Sequence, residues 1–209
     1  MEVLQLLVSG VSLGCVYGLI ALGFVLIYKA TEMVNFAQGE MMMLGAFVAF
    51  GFINLLGWPF IVGVIATLVV MGTLGVVLER LLLRPMIGEP PFAVLMLTIG
   101  LGFVLRAIAG AIWGSEPHTL ASPYAGGVIR IGELIIGYEN LAIVIGTALL
   151  CLALFLFFKF TRVGVAMQAA SQNQLAAFYV GIPVKRVFSL VWGLSAAIAG
   201  LAGILVAPV

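Results

Sequence analysis

The sequence contains no aspartate, one histidine and two cysteines, and only 8% of its 209 residues are charged. The phosphate-binding GxxxxGK[ST], zinc-binding HExxH and nucleophile-bearing GxSxG patterns are also missing. Cys15 and Cys151 each lie within an apolar run, where their spacing indicates neither a metal site nor a disulfide framework. We therefore predict that the chain is not an enzyme, that it has no catalytic residue, metal site or cofactor of its own, and that any ATP hydrolysis belongs to another chain.

Basic residues are equally scarce, and the formal net charge is only +1. Such a chain has no strong positive field to attract a polyanion. We expect no nucleic-acid partner.

What the chain does contain is apolar sequence: 64% of its residues are hydrophobic, and the mean hydropathy is +1.31. A soluble domain is roughly 45–50% apolar, and a membrane-spanning helix needs about 20 mostly apolar residues. Runs of that length lie at about 4–28, 36–56, 60–78, 92–112, 141–158 and 188–207. We predict an all-α polytopic membrane protein with about six spanning helices in one transmembrane domain, residues 1–209.

The positive residues indicate the orientation of these spans, because cytoplasmic connections retain lysine and arginine. The odd-numbered connections contain Lys29, Arg80, Arg84, Lys159, Arg162, Lys185 and Arg186, whereas the even-numbered ones contain only Arg130. The odd-numbered connections are therefore predicted to be cytoplasmic, and the N-terminus is predicted to be outside.

The long external connection, residues 113–140, contains two short β-like pieces, Val128 to Ile131 and Leu134 to Ile136, around Gly132-Glu133. A Gly-X pair suits a type II′ turn, so a small external hairpin is expected. His118 precedes it and is predicted to be a solvated loop side chain.

The join between the first two spans, KATEMVNFAQGE at 29–40, is polar but contains neither proline nor a long loop. Polar or non-helical backbone near membrane depth is tolerated only where protein buries it or water reaches it. This makes Asn35, Gln38 and Glu40 candidates for lining a translocation pathway. The alternative is an ordinary cytoplasmic turn in which Glu40 extends toward the membrane surface.

The fourth run contains an arginine within an apolar helix. Arg106 lies about four residues past the middle of the run, roughly 6 Å toward the outside, and needs a partner or water there. It is a pathway candidate, and the alternative is a long side chain that reaches the outer interface. Thr98 can offer its hydroxyl to the pathway or bond to its own helix backbone.

Between Lys159 and Arg186 an alanine-rich stretch carries glutamine and asparagine but no acidic residue. Its stops at Gly164 and at Gly181-Ile182-Pro183 predict short helices at the cytoplasmic surface. Small and neutral polar residues suit docking of a protein partner, and a loop helix without a partner is the alternative.

Glycines recur four apart in the first helix, at Gly10, Gly14 and Gly18, and small residues do so in the last helix, at 195–203. Such faces allow close approach of another helix, within the chain or from a second subunit. A surface that slides during transport is the alternative.

Three separated blocks together resemble a known family: SLGCVYGLIALGFVLIYKATEMVNFAQGEMMMLGAF (12–47), LTIGLGFVLR (97–106) and QAASQNQLAAFYVGIPVKRVFSLVWGLSAAIAGLAGIL (168–205). They are similar to the membrane permeases of branched-chain amino acid ABC importers, of the type close to the Leu/Ile/Val permease H subunit. In that family an NFAHG element lines the substrate route, which implies this role for Asn35, Phe36, Ala37 and Gly39. Gln38 replaces the usual histidine.

The resemblance also implies a docking loop for the ATPase subunits, in which Ala176, Ala177 and Gly181 match the family pattern and Leu175 stands where a glutamate is usual. It implies a complex with a second permease subunit, cytoplasmic ATPase subunits that bind ATP and Mg, and an extracytoplasmic substrate-binding protein, in a bacterial or archaeal plasma membrane. Family members continue beyond residue 209, so the chain is expected to be C-terminally truncated relative to them.

The expected function is that of a permease subunit of an ATP-driven importer for branched-chain or related small amino acids. Two alternatives remain open at this point. An ion-coupled secondary transporter needs an intramembrane acid, for which Glu40 is the candidate. A purely structural membrane subunit needs no polar pathway at all.

Overall fold

The computed structural model describes residues 2–114, 116, 118–124, 126–131 and 134–207. In chain order, the helices and strands are α1 (Glu2–Thr31), α2 (Gln38–Phe50), α3 (Phe60–Leu78), α4 (Pro91–Trp113), β1 (Val128–Ile131), β2 (Leu134–Gly137), α5 (Tyr138–Phe160), α6 (Arg162–Gln172), α7 (Gln174–Tyr179) and α8 (Val184–Val206). A π-helical segment, Gly51–Leu55, continues α2. A second, Glu79–Leu83, and a 3-10 turn, Arg84–Met86, continue α3.

Within the described residues, six helical segments are long and apolar enough to cross a membrane, which confirms the predicted all-α polytopic fold. They are Gln5–Thr31, Gln38–Leu55, Phe60–Met86, Pro91–Trp113, Tyr138–Phe160 and Val184–Val206. The largest difference from the prediction is in the third span, which was expected to end near residue 78. It continues through the charged residues Glu79 and Arg84 because these two side chains bond to each other, with Arg84 Nη2 3.0 Å from Glu79 Oε2.

Helix α8 is the central element of the bundle: it is mostly buried and packs against α1, α2 and α3. Its small residues permit this close approach. A Cβ on Gly45 of α2 would collide with the Gly200 backbone, and one on Gly193 would lie 3.0 Å from the Gly72 carbonyl oxygen. The small-residue face predicted for the last helix therefore packs within the chain.

The glycine face of α1 differs from that of α8. A Cβ on Gly10, Gly14 or Gly18 would meet no atom of the described residues within 4 Å. Within that part of the chain the α1 face has no helix packed on it, and packing against a second subunit stays a prediction.

The predicted hairpin is present, and its external location stays a prediction. Strands β1 and β2 pair antiparallel, with Val128 opposite Gly137 and Ile131 opposite Leu134. The predicted turn at Gly132-Glu133 lies outside the described residues. His118 is exposed, as predicted, and its ring also stacks on Phe50 with the ring centroids 4.6 Å apart.

The loop before the hairpin is attached to the end of α8. The Tyr124 hydroxyl donates to the Ile204 carbonyl over 3.4 Å, and the Glu139 carboxylate accepts from the Gly126 amide over 3.2 Å. Burial, with the nearby Glu139 charge adding to it, raises the pKa of Tyr124 to about 12. The phenol therefore stays neutral well above neutral pH.

The alanine-rich stretch forms two short helices, α6 and α7, as predicted, but the expected helix stop at Gly164 is wrong. Gly164 lies in the first turn of α6, where Thr161 Oγ1 accepts a hydrogen bond from its amide over 2.9 Å. A Cβ there would collide with the Phe157 carbonyl, so this glycine permits a tight turn between α5 and α6. Gly181, with φ +86°, follows α7 and does end a helix.

Candidate translocation site

The connection between α1 and α2, which we call the re-entrant segment (residues 32–37), lies beside α4 at Thr98, about two turns from the start of that helix. The Phe36 amide donates to Thr98 Oγ1 over 3.3 Å, and Thr98 Oγ1 lies 3.3 Å from the Val34 carbonyl and 3.0 Å from the Leu95 carbonyl. Thr98 is seven residues into α4, which is about 10 Å from its first residue. The chain thus turns back into the span before α2 begins, and Thr98 bonds both this segment and its own helix.

The buried amide side chains of Asn35 and Gln38 fix the start of α2. Asn35 is 1% exposed and Gln38 is 2% exposed. Asn35 Oδ1 accepts from the Ala37 amide over 3.1 Å, and Asn35 Nδ2 donates to Gln38 Oε1 over 3.1 Å. Ala37 itself is fully buried. Buried amides of this kind are costly unless they are hydrogen-bonded, so their mutual bonds stabilise one conformation of the re-entrant segment.

Gln38 also connects the re-entrant segment to α8 and α1. The Ser195 hydroxyl of α8 lies 3.2 Å from Gln38 Oε1 and 2.8 Å from the Gly23 carbonyl of α1, and Gln38 Nε2 lies 3.4 Å from the Ser195 carbonyl. A Cβ on Gly23 would collide with Gln38 Nε2. Three elements therefore meet at one polar point inside the bundle, and a side chain at position 23 would displace the Gln38 amide from it.

Glu40, in the first turn of α2, forms an ion pair with Arg106 of α4. Glu40 Oε1 lies 3.0 Å from Arg106 Nη2, and the two side chains are 22% and 66% exposed. Gly102, one turn before Arg106, leaves room for this pair, because a Cβ there would lie 3.3 Å from Glu40 Oε2. The partner that the sequence required for Arg106 is therefore Glu40.

The predicted pathway residues thus form two groups. Asn35, Gln38 and Thr98 are buried, so in this conformation they shape the helix break and are not open to a solute. The exposed or part-exposed members are Phe36, Gly39, Glu40 and Arg106. Phe36 is half exposed and meets Phe24 edge to face, at 6.4 Å between ring centroids.

An open cleft of about 1000 Å³ lies next to the re-entrant segment, between the end of α1 and helix α6. Its walls include Lys29, Glu32 and Val34 on one side and Met167 and Gln168 on the other. Sequence reasoning did not find this cleft, because residues separated by more than 130 positions form it.

The predicted docking residues differ in their exposure. Ala176 is exposed, whereas Ala177 is 3% exposed and packs in the main hydrophobic core. Asn173 Oδ1 accepts from the Ala176 amide over 2.9 Å and so caps α7. The outer surface of α7 and the following residue is apolar and consists of Leu175, Phe178, Tyr179 and Val180, which are 65–77% exposed.

Helix α7 is also bonded to the end of α1. Gln174 Nε2 donates to the Ala30 carbonyl over 3.1 Å, two residues before the re-entrant segment begins. A displacement of α7 would therefore act directly on the helix end that precedes the break.

Sequence reasoning missed a second polar cluster, at the end of α3. Glu79 is 2% exposed and accepts from Arg84 Nε over 3.1 Å, from Arg84 Nη2 over 3.0 Å and from Ser189 Oγ over 2.7 Å. Arg84 Nη2 also donates to the Lys185 carbonyl in the first turn of α8 over 3.2 Å. A carboxylate five residues before an arginine at the end of an apolar run is a signal that could have suggested the ion pair.

Across the part of the chain that the structure describes, no three histidine, cysteine or acidic side chains come together in a way that could hold a metal ion. The polar positions of the site carry amides, hydroxyls and one ion pair. These groups can bind and orient a polar solute, and they contain no activated nucleophile or proton-transfer dyad.

Residues 6–209 match the family model described as "Branched-chain amino acid transport system / permease component". The chain is 31% identical to the high-affinity branched-chain amino acid transport system permease protein LivH of Escherichia coli K12, over 97% of this chain and 70% of that protein. It is 28% identical to the permease protein BraD of Pseudomonas aeruginosa, over the same shares. It is 30% identical to the probable permease LivH of Methanocaldococcus jannaschii, over 88% of this chain and 60% of that protein. No solved structure matches the chain.

Proposed function

The chain belongs to the branched-chain amino acid transport permease family, and we propose that it forms part of the membrane passage of an ATP-driven importer for branched-chain or related amino acids. One observation carries the proposal: a helix break about 10 Å inside the span, built from buried amides and next to an exposed ion pair. A helix that only anchors a protein in lipid gains nothing from such a break, because unpaired backbone in hydrocarbon costs several kcal/mol per group. Many secondary transporters form their substrate sites at broken helices, so an interrupted span is an established way to build a polar site inside a membrane.

The partners of the proposed importer are a second permease subunit, two ATPase subunits that bind ATP and Mg, and an external substrate-binding protein. The relatives are named as components of transport systems, which supports a complex of several chains. The site proposed for ATPase docking is α7 with Gly181. Its exposed apolar surface includes Leu175, Phe178 and Tyr179, and Ala176 provides a small exposed position between them.

Because Ala177 is buried, its role in docking is to pack α7 onto the core. The exposed side chains then make the contact with the ATPase. This assignment places α6 and α7 on the cytoplasmic side, and with it the N-terminus outside, in the plasma membrane of a bacterium or archaeon.

The proposed mechanism follows from the connections of α7. Closure of the ATPase subunits moves α7, and the Gln174–Ala30 bond transmits that motion to the end of α1. Helix α8 follows α7 after four residues and carries Ser195, which contacts Gln38. Motion of α7 thus reaches the re-entrant segment through the end of α1 and through α8. That motion opens the site alternately to the outside and to the cytoplasm. The cleft next to Val34 serves as the cytoplasmic exit.

The experiment is uptake of labelled leucine into proteoliposomes that contain this chain, its partner permease, the ATPases and the binding protein. We expect uptake that requires ATP and is lost when this chain is omitted. Equal uptake without the chain would overturn the proposal.

The main competitor is an ion-coupled secondary transporter that uses Glu40. The pairing of Glu40 with Arg106 argues against it, since a lone driving cation bound to this carboxylate would be repelled by the adjacent guanidinium. Uptake driven by an ion gradient in vesicles without ATP would favour this competitor. A purely structural subunit would instead tolerate Asn35→Leu with unchanged uptake.

A further inference from the structure

The position and exposure of Arg106 constrain what can lie against it. Arg106 is four residues past the middle of α4, about 6 Å from the centre of the span, and its side chain is 66% exposed. A charged side chain at this depth is costly when it faces hydrocarbon. The face that carries Arg106 and Glu40 therefore meets water, a polar solute or another protein chain, and not lipid tails.

The ion pair uses only part of the hydrogen-bonding capacity of the two side chains. Within the described residues, the bond between them joins Arg106 Nη2 to Glu40 Oε1. A guanidinium has five N–H donors and a carboxylate has two acceptor oxygens, so donors and an acceptor remain available. The neighbouring glycines keep this space open: a Cβ on Gly39 would meet no described atom within 4 Å.

An α-amino acid carries an ammonium and a carboxylate on the same carbon. Laid antiparallel to the Glu40–Arg106 pair, it places its ammonium against Glu40 and its carboxylate against Arg106, and the protein's own pair need not separate. Arginine is suited to this role because its planar fork pairs with a carboxylate through two hydrogen bonds.

An exposed aromatic ring lies in the segment that directly precedes the helix of Glu40. Phe36 is half exposed and lies in the re-entrant segment, four residues before Glu40 in the sequence. The charge pair and the ring together match an apolar amino acid more closely than they match an inorganic ion or a sugar.

We propose that Glu40 and Arg106 bind the ammonium and carboxylate of one amino acid in transit while Phe36 contacts its side chain, so that the permease itself selects for a zwitterion. This inference rests on the proposed function and adds to it the specificity-determining residues. The other possible occupant of this face, a second permease subunit, is one of the outcomes of the test.

The test uses the open position beside the pair. Gly39→Cys is introduced into a chain with Cys15→Ala and Cys151→Ala, and the assembled complex is placed in nanodiscs without the binding protein. The rate of N-ethylmaleimide labelling is measured against leucine concentration. 4-Methylpentanoate, which lacks the ammonium, and 3-methylbutylamine, which lacks the carboxylate, are measured in parallel.

We expect leucine to slow labelling and the two analogues to protect at least about tenfold less well, since each loses one charge-assisted interaction. Glu40→Gln and Arg106→Gln should each raise the leucine concentration for half-protection by about tenfold or more. Arg106→Lys, which keeps the charge but not the fork, should be intermediate. The control Arg162→Gln removes an exposed positive charge at the start of α6 and should leave protection unchanged.

Only complexes that retain every subunit are scored, and Arg106→Lys replaces Arg106→Gln if the latter does not assemble. The inference is overturned if leucine never protects, if the analogues protect as well as leucine, or if both neutral variants keep the original half-protection. A cysteine that is unreactive in every complex would mean that a second subunit covers this face, which also overturns it. Leucine uptake by the unsubstituted complex is measured separately, so the proposed function can stand where this inference fails.

Discussion

Gln38 of α2 and Ser195 of α8 are 157 residues apart in the sequence, and their side-chain oxygens lie 3.2 Å apart inside the bundle. The same serine hydroxyl lies 2.8 Å from the Gly23 carbonyl of α1. This contact joins the helix break to both the first and the last span, so the stability of the site depends on side chains that are buried in this conformation.

Gly23→Ala is expected to destabilise this meeting point. The added methyl group would collide with the Gln38 amide and displace it from Ser195, at a cost of about 1–3 kcal/mol. Gly18→Ala adds the same group five residues earlier on α1, where no described atom lies within 4 Å, and should leave the free energy of unfolding unchanged or raise it by up to about 1 kcal/mol, because alanine favours a helix more than glycine does. Denaturant unfolding in detergent measures both. Equal stability of the two variants would contradict the packing at Gly23.

Glu79→Ala is expected to destabilise the chain by about 1–3 kcal/mol, because it leaves Arg84 and Ser189 without their shared acceptor. Arg84 is one-third exposed and can regain water, which keeps the cost below that of a fully buried pair. The double variant Glu79→Ala, Arg84→Ala should recover part of the loss, as measured by a double-mutant cycle. Arg80→Ala, an exposed neighbour, serves as the control, and simple additivity of the two changes would argue against the cluster.

Charge on the exposed surface of α7 should prevent ATPase association. Ala176→Glu and Phe178→Glu place a carboxylate on exposed positions, and we expect loss of ATPase copurification with normal membrane insertion. Thr119→Glu, exposed in the loop after α4, is the matched control and should copurify normally. Retention of the ATPases by both α7 variants would exclude this surface as the docking site.

Tyr124 should give the chain an alkaline instability. Its pKa is raised from 10.0 to about 12, so the folded state holds the phenol proton more tightly than the unfolded state does. The resulting stabilisation is fully present below pH 10 and is lost as pH rises from 10 toward about 12. The free energy of unfolding of the natural chain minus that of Tyr124→Phe should be constant at neutral pH and fall over this window. A flat difference across the window would contradict burial of the phenol.

Local sequence patterns were sufficient for the number and approximate positions of the spans, for the hairpin strands and for the position of the helix break. These features depend on hydrophobic run length, β-propensity and the absence of a long polar loop, all of which can be read within a window of 10 to 25 residues. The same logic was less successful at Gly164, because a glycine that ends one helix and a glycine that permits close packing in another look alike in sequence. Sequence patterns also placed the end of the third span too early. A glutamate at the end of an apolar run is typical of a surface position, and only the structure shows that Arg84 and Ser189 bond to Glu79.

Three relationships could not have been obtained from the sequence. Arg106 required a partner, but that partner proved to be Glu40, 66 residues earlier. Ala176 and Ala177 are adjacent and chemically identical, yet one is exposed and the other is in the core. Gln38 was recognised as polar and near the pathway, but its contact with Ser195 depends on how α8 crosses α1 and α2.

The sequence alone determined that this chain crosses the membrane about six times and that its first two spans meet at an irregular polar join, because the free energy of placing apolar and polar groups in hydrocarbon is a local property of each segment. The tertiary structure decided which polar groups are buried against each other and which face outward as an exposed ion pair. Those choices depend on helix packing, which small residues far apart in the chain make possible, and no local pattern encodes which glycine meets which helix.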